Sequence, residues 1–189
     1  MRHMILMWIC HAALLFGEET QLQNFYKPLK KNLILQMDID FFQNQFGNSF
    51  NSSGTFYLIA SNKYVYDSSP IKMIVEDSLI TTINYETRQL VYSLIDKGHL
   101  SILDILSGNL NNIEFLDKTS KHINHFSVIK LGYRGIFQFD KSSGLLKLVK
   151  LFIDEDQSLT VEIKSIDFIK LYSMPYINDE EFEVIDLRD

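Results

Sequence analysis

Apolar positions recur along the chain at two different periods. Leu22, Phe25, Tyr26 and Leu29 follow the i, i+3, i+4, i+7 spacing of one helical face. Pro28 lies inside that pattern and disfavours helical geometry at Lys27, so a short or kinked helix is expected over residues 19–31. From Leu33 the period changes to two. Leu33, Leu35, Met37, Ile39 and Phe41 alternate with Ile34, Gln36, Asp38, Asp40 and Phe42, the pattern of a strand with one buried face. Residues 43–53, rich in Asn, Ser and Gly, read as a turn or loop.

Strand-like runs then follow at close spacing over 55–60, 63–67, 71–76, 79–85 and 89–94, separated by short polar breaks. Breaks this short join antiparallel neighbours. Residues 101–107 are expected to be helical. Ser101 and Asp104 have the spacing of a capping box, with Asp in place of Glu, and Gly108 closes the end. Further strands are expected near 111–116, 124–131, 134–140, 145–153 and 158–168, with a tight turn at 140–144 and a terminal strand with a charged edge after Phe182. About ten strands at this spacing indicate a barrel, a sandwich or one large curved sheet.

The first residues differ from the rest. Met1-Arg2-His3 is a basic start, residues 4–16 are almost wholly apolar, Gly17 is small, and Glu18-Glu19 open a polar stretch. This is the layout of a secretory signal peptide over residues 1–17, and a run of thirteen residues is short for a membrane span of about 20. Cys10, the one cysteine, falls within it. The exported chain, residues 18–189, is therefore expected to hold no disulfide and to depend on burial for its stability.

Composition narrows the function classes. The 189-residue chain is 46% apolar and 22% charged, as in one soluble globular domain, and its net charge of −6 argues against nucleic acid as a partner. No nucleophile elbow, zinc-protease helix, P-loop or dinucleotide fingerprint is present in the sequence. Asp38 and Asp40 share one strand face and read as its solvated side; Asp154-Glu155-Asp156 reads as a hairpin turn; His122 and His125, three apart, read as exposed. No catalytic residue, metal or cofactor is expected. The surplus is aromatic, with 14 Phe and 9 Tyr. A large curved sheet with few helices has a concave face that short helices cover incompletely, which suits a lipid chain.

Residues 54–92 carry a family resemblance. Gly54 opens a strand, Asn62 lies in the following turn, Tyr64 and Tyr66 are strand aromatics, and Pro70, Val75, Asp77, Tyr85, Gln89 and Val91 follow in order. This pattern resembles the periplasmic outer-membrane lipoprotein carrier family (LolA-like). The helix near 100–106, the 140–144 turn and the closing Ile177-Asn178-Asp179 fit it too. The chain departs from the family where its lid-closing Arg falls at Ala60, its Pro at Ser61 and its Asp-Gly glycine at Ser78. The resemblance implies a mainly β fold, an unclosed antiparallel barrel of about eleven strands with short lid helices over an apolar cavity. It implies a periplasmic monomer that carries lipoprotein acyl chains from an inner-membrane release complex to an outer-membrane acceptor. Strand parity suggests that Leu35, Met37, Ile39, Phe56, Leu58, Tyr64, Tyr66, Met73, Val75, Ile83 and Tyr85 line the cavity, with Leu33 and Phe41 on the same face. Leu100, Leu103 and Leu106 are expected on the lid, hinged at Gly98 and Gly108; with Ala60 no charged contact from that position holds it shut, which implies a looser lid or a different locking contact. A carrier of another lipid or glycolipid, a lipoprotein-sensing regulatory domain of the same fold, and a secreted enzyme remain open as alternatives.

Overall fold

The computed structural model of the chain describes residues 21–95, 100–116, 120 and 122–188. The expected signal peptide at 1–17, with Cys10, lies outside the described residues, as do Gly98 and His99. Helix α1 (Gln21–Tyr26) tightens into a 3₁₀ turn over Lys27–Lys31. Pro28 sits at the start of that turn, where a missing backbone donor costs least. Asn32 ends it with φ 57°, and its N–H donates to the Leu29 carbonyl at 3.1 Å.

Among the described residues, twelve strands follow: β1 (Ile34–Gln45), β2 (Asn48–Ala60), β3 (Lys63–Ser68), β4 (Ile71–Glu76), β5 (Leu79–Asn84), β6 (Gln89–Leu94), β7 (Ile113–Phe115), β8 (Ile123–Val128), β9 (Tyr133–Phe139), β10 (Leu146–Phe152), β11 (Gln157–Ile169) and β12 (Glu183–Leu187). A five-residue helix, α2 (Ile102–Leu106), separates β6 from β7. These strands join one unclosed sheet in the order β12-β6-β5-β4-β3-β2-β1-β11-β10-β9-β8-β7. Their pairings are antiparallel except that of β12 with β6. That exception follows from the connection: residues 170–182 cross the back of the sheet before β12 joins the β6 edge, and a long crossing permits parallel pairing.

The two faces of the sheet carry separate cores. On the concave side, Leu35, Met37, Ile39, Phe56, Leu58, Tyr64, Tyr66 and Val75 meet Phe126, Val128, Phe137, Phe139, Val149, Leu151 and Val161 in one buried cluster. On the convex side, Val65, Ile74, Ile83 and Leu90 lie under Tyr57, Tyr92, Tyr172, Met174, Ile177 and Phe182. The second core is what the 170–182 crossing covers, with the Tyr57 and Tyr172 rings 4.3 Å apart. Asp38 and Asp40 lie on the solvated side as expected. Asp38 accepts from Thr55 and Ser165, and Asp40 accepts from Ser53 at 2.6 Å and pairs with Lys164 at 3.0 Å.

Residues 43–53 are not a loop. β1 and β2 stay paired through Gln43↔Phe50 and Gln45↔Asn48, and Phe46-Gly47 alone makes the turn, with φ 48° and 78°. Two positive φ values give the hairpin turn whose twist matches its strands. The polar composition that suggested a loop was overridden by pairing of β1 with β11 along its other edge, as far as Gln45↔Gln157.

Candidate functional site

The site is the concave face together with the helical pieces laid on it. α1 contributes Leu22 and Phe25, and the second piece contributes Leu100, Ile102, Leu103, Ile105 and Leu106, all buried in the same cluster as the strand residues. Leu35, Met37, Phe56, Leu58, Ile105 and Leu106 have essentially no exposed surface. The helix side chains therefore lie on the concave face and cover it, with α2 set against β10 and β11 and tied to Tyr64 and Ser61 at the β2–β3 turn.

α2 is too short to be stable alone, so its neighbours hold it. Ser101 and Asp104 form the capping box: the Ser101 Oγ accepts from the Asp104 N–H at 3.0 Å, and the Asp104 carboxylate accepts from the Ser101 N–H at 2.9 Å. The other carboxylate oxygen of Asp104 accepts from the Tyr64 hydroxyl of β3 at 2.8 Å, a buried hydrogen bond to a charged acceptor. Ser107 donates to the Ser61 carbonyl in the β2–β3 turn at 3.1 Å. Tyr26, at the end of α1, donates to the Leu106 carbonyl at 2.9 Å, which satisfies one of the free carbonyls of the helix end. Gly108, at φ 87°, closes the helix under the Tyr26 ring, which lies 3.4 Å from where a Cβ would be.

Of the two outcomes expected from Ala60, this arrangement is the different locking contact. Ala60 supplies no charge, but the neighbouring turn and strand supply Ser61 and Tyr64, and the charge comes from the helix itself through Asp104. Tyr64 thus has two parts to play: its ring packs against Phe56, with centroids 5.1 Å apart, and its hydroxyl fastens the helix.

Of the residues expected on the concave face, Leu35, Met37, Ile39, Phe56, Leu58, Tyr64, Tyr66 and Val75 are gathered in its core, and Met73, Phe41 and the lid residues Leu100, Leu103 and Leu106 pack with them. Ile83 and Tyr85 do not join them. The Asp77-Ser78 turn sets Glu76 opposite Leu79, and that register puts Ile83 opposite Lys72 and beside Val65 and Ile74 on the convex side. Tyr85 lies half-exposed, its ring 6.0 Å from that of Phe182. Ile80 takes the concave place. Tyr26, Ile102, Asp104, Ile105 and Ser107 were missed as site residues. The capping-box spacing marked Asp104 only as part of a helix start, and its bond to Tyr64 spans forty residues of sequence.

The phenols carry a test of this packing. Burial pushes Tyr26 well above the ordinary tyrosine range; burial and then the Asp104 carboxylate do the same to Tyr64. A folded value above the unfolded one, about 10, gives stability that is complete below the unfolded value. It is lost as pH rises toward the folded value. The two phenols should therefore ionise only on unfolding in an ultraviolet titration, with the thermal midpoint falling above about pH 10. A Tyr26→Phe/Tyr64→Phe variant should show a shallower fall. Ionisation of all nine tyrosines before unfolding would contradict the packing.

No protein-family model matches the chain, and no curated protein matches it. Among solved structures, it is similar to an uncharacterized conserved protein from Thermus thermophilus, with TM-score 0.50 and 8% identity over 88% of this chain and 99% of that one. A LolA superfamily protein from Nitrosomonas europaea aligns with TM-score 0.40 and 5% identity over 87% and 97%. A DUF1329 family protein from Desulfovibrio piger aligns with TM-score 0.46 and 9% identity over 79% and 93%. The first shares the fold of this chain over almost its whole length.

Proposed function

We propose that the protein is an exported carrier that binds the acyl chains of lipoproteins on its concave face and shuttles them from an inner-membrane release complex to an outer-membrane acceptor. The observation that carries this is the closure of an unclosed, apolar half-barrel by five side chains on one very short helical piece, Leu100, Ile102, Leu103, Ile105 and Leu106. The work is physical, with no covalent step.

The magnitudes suit a reversible exchange. Burying each of those five side chains is worth about 2 kcal/mol, or about 10 kcal/mol together. An acyl chain of about sixteen carbons gains about 12 kcal/mol when it leaves water, at about 0.8 kcal/mol per CH₂. The two compete for one surface with nearly equal strength. The carrier then loads without trapping its cargo, and the lid recloses when the cargo leaves. The polar latch adds the increment that keeps the empty site shut and away from unselective binding.

Mass spectrometry of the protein extracted from its native envelope tests this. The expected result is a non-covalently bound, acylated polypeptide and a chain beginning near Glu18. A phospholipid or glycolipid alone would move the proposal to a different cargo. An acyl-free protein that stays empty when mixed with purified lipoprotein would overturn it.

A further inference from the structure

Polar side chains buried in a folded chain are almost always hydrogen-bonded, and one left alone calls for a reason. Asn124 and His122 are two such groups on neighbouring positions of one strand face. Asn124, on β8, is 5% exposed, and among the described residues no hydrogen bond reaches its amide. His122, expected to be exposed, is half-buried; its Nδ1 is wholly enclosed and has no partner among those residues. Both stand on the concave side. Asn124 lies opposite Phe137 and shares its strand face with Phe126 and Val128 of the concave core. His122, two residues earlier, has the same parity, and its carbonyl accepts from the Phe139 N–H at 2.9 Å.

The surroundings are apolar, with Phe126, Phe137 and Phe139 fully buried. An unpartnered amide among such rings destabilises the empty protein, and a leucine would fill the same space without that cost. Sequences break this rule at functional sites. The two groups also lead outward. His122 and Phe139 line a hollow of about 420 Å³ with Ser120, Gln138, Lys141 and Lys147, and both lysines are exposed. Lys147 sits on the bulge between Leu146 and Leu148, a device that re-aims a side chain. α2 rests on β10 and β11, so β8 lies two strands beyond the helix on the same face. The apolar face therefore ends at β8 in two hydrogen-bonding groups and a basic exit.

We propose that Asn124 and His122 form a head subsite that donates hydrogen bonds to the carbonyl oxygen at the root of an acyl chain, while the group attached to that carbonyl leaves through the hollow beside Lys141 and Lys147. This rests on the acyl-carrier reading above and adds the chemistry selected, an acyl carbonyl in preference to bare hydrocarbon. Asn124 donates through its amide nitrogen, and His122 donates when Nδ1 carries the proton. A hydrocarbon of equal length leaves both groups unpaired, which is how a site built for hydrogen bonds rejects an analogue that lacks them. The ester or amide of an acylated polypeptide and the carboxylate of a free fatty acid present the same oxygen. They differ in charge, which the two lysines read.

The probes are methyl laurate, laurate and tridecane, chains of similar length that compete with a fluorescent fatty-acid analogue. The parent protein should bind methyl laurate about tenfold more tightly than tridecane. Asn124→Leu should abolish that preference, keep tridecane binding as it was, and raise the thermal midpoint of the empty protein by about 2–4 °C. In the parent, the Asn124 side-chain amide resonances should move on addition of methyl laurate and stay in place with tridecane. Laurate bound more tightly than methyl laurate, with the margin lost in Lys141→Gln/Lys147→Gln, would assign the subsite to a free carboxylate; equal binding of the two would assign it to an ester or amide. Equal affinity for methyl laurate and tridecane in the parent would overturn the subsite and leave the acyl carrier standing. So would an ester preference that survives Asn124→Leu. Failure of all three probes to bind would overturn the subsite together with the carrier reading.

Discussion

An Asp104→Ala variant is expected to bind a fluorescent fatty-acid analogue about thirtyfold more tightly than the parent protein. Asp104 accepts from Tyr64 and from the Ser101 backbone and hydroxyl, so its removal takes away both the latch and the helix cap. The lost cap costs about 1 kcal/mol, and the buried Tyr64 hydroxyl left without a partner costs at least about another. Both penalties fall on the closed arrangement and spare the open one. A shift of about 2 kcal/mol changes the open fraction about thirtyfold, and apparent affinity follows that fraction. Asp104→Asn keeps an acceptor for the Tyr64 hydroxyl and should give a smaller change. Tyr64→Phe combined with Asp104→Ala removes the unpartnered hydroxyl as well, so the double variant should fall back to about fivefold tighter binding, the part due to the lost cap. Stopped-flow and equilibrium fluorescence give the numbers. Unchanged or weaker binding by Asp104→Ala, with the fold intact by circular dichroism, would mean that the latch does not control access.

Phe56→Ala should be the most destabilising of the concave-face substitutions. Phe56 is wholly buried on β2, opposite Met37 of β1 and Tyr66 of β3, beneath the helical cover. Truncating a buried Phe to Ala costs about 3–5 kcal/mol through lost transfer energy and the cavity left behind. In a domain of this size that lowers the thermal midpoint by about 8–15 °C. The cavity would be apolar and closed by helix side chains, so benzene should raise the midpoint of the variant and leave the parent unchanged. A loss below about 1 kcal/mol would show that the concave core is loosely filled and that the helices do not press on it.

The sequence was most informative where one strand has a wet side. On β1, Leu35, Met37 and Ile39 alternate with Gln36, Asp38 and Asp40, so charge itself marks the solvated face. β5 lacks that marker. Its Leu-Ile-Thr-Thr-Ile-Asn run satisfies either face, and only the register set by the two-residue turn before it sends Ile83 to the convex side. The hairpin at 43–53 was obscured for the opposite reason. Asn, Ser and Gln suggest a loop by composition, whereas the ladder there is held by backbone pairing, which composition does not report. The convex core was hidden because its cover, residues 170–182, has almost no regular structure and no periodicity. The latch was beyond reach in principle: a capping box is local and readable, but the choice of Tyr64 as partner of Asp104 depends on where the sheet brings β3.

The central claim is that helix side chains and an acyl chain take turns on one surface. A photo-crosslinking residue at Leu103, buried at 8% exposure in the closed state, tests it most directly. In the empty protein it should crosslink within the chain, to strands of the concave face. After loading with purified acylated lipoprotein it should crosslink to the cargo, and the internal products should fall. Identical internal crosslinks with and without bound cargo would contradict the account, since the helix would then be fixed core and the acyl chain would lie elsewhere.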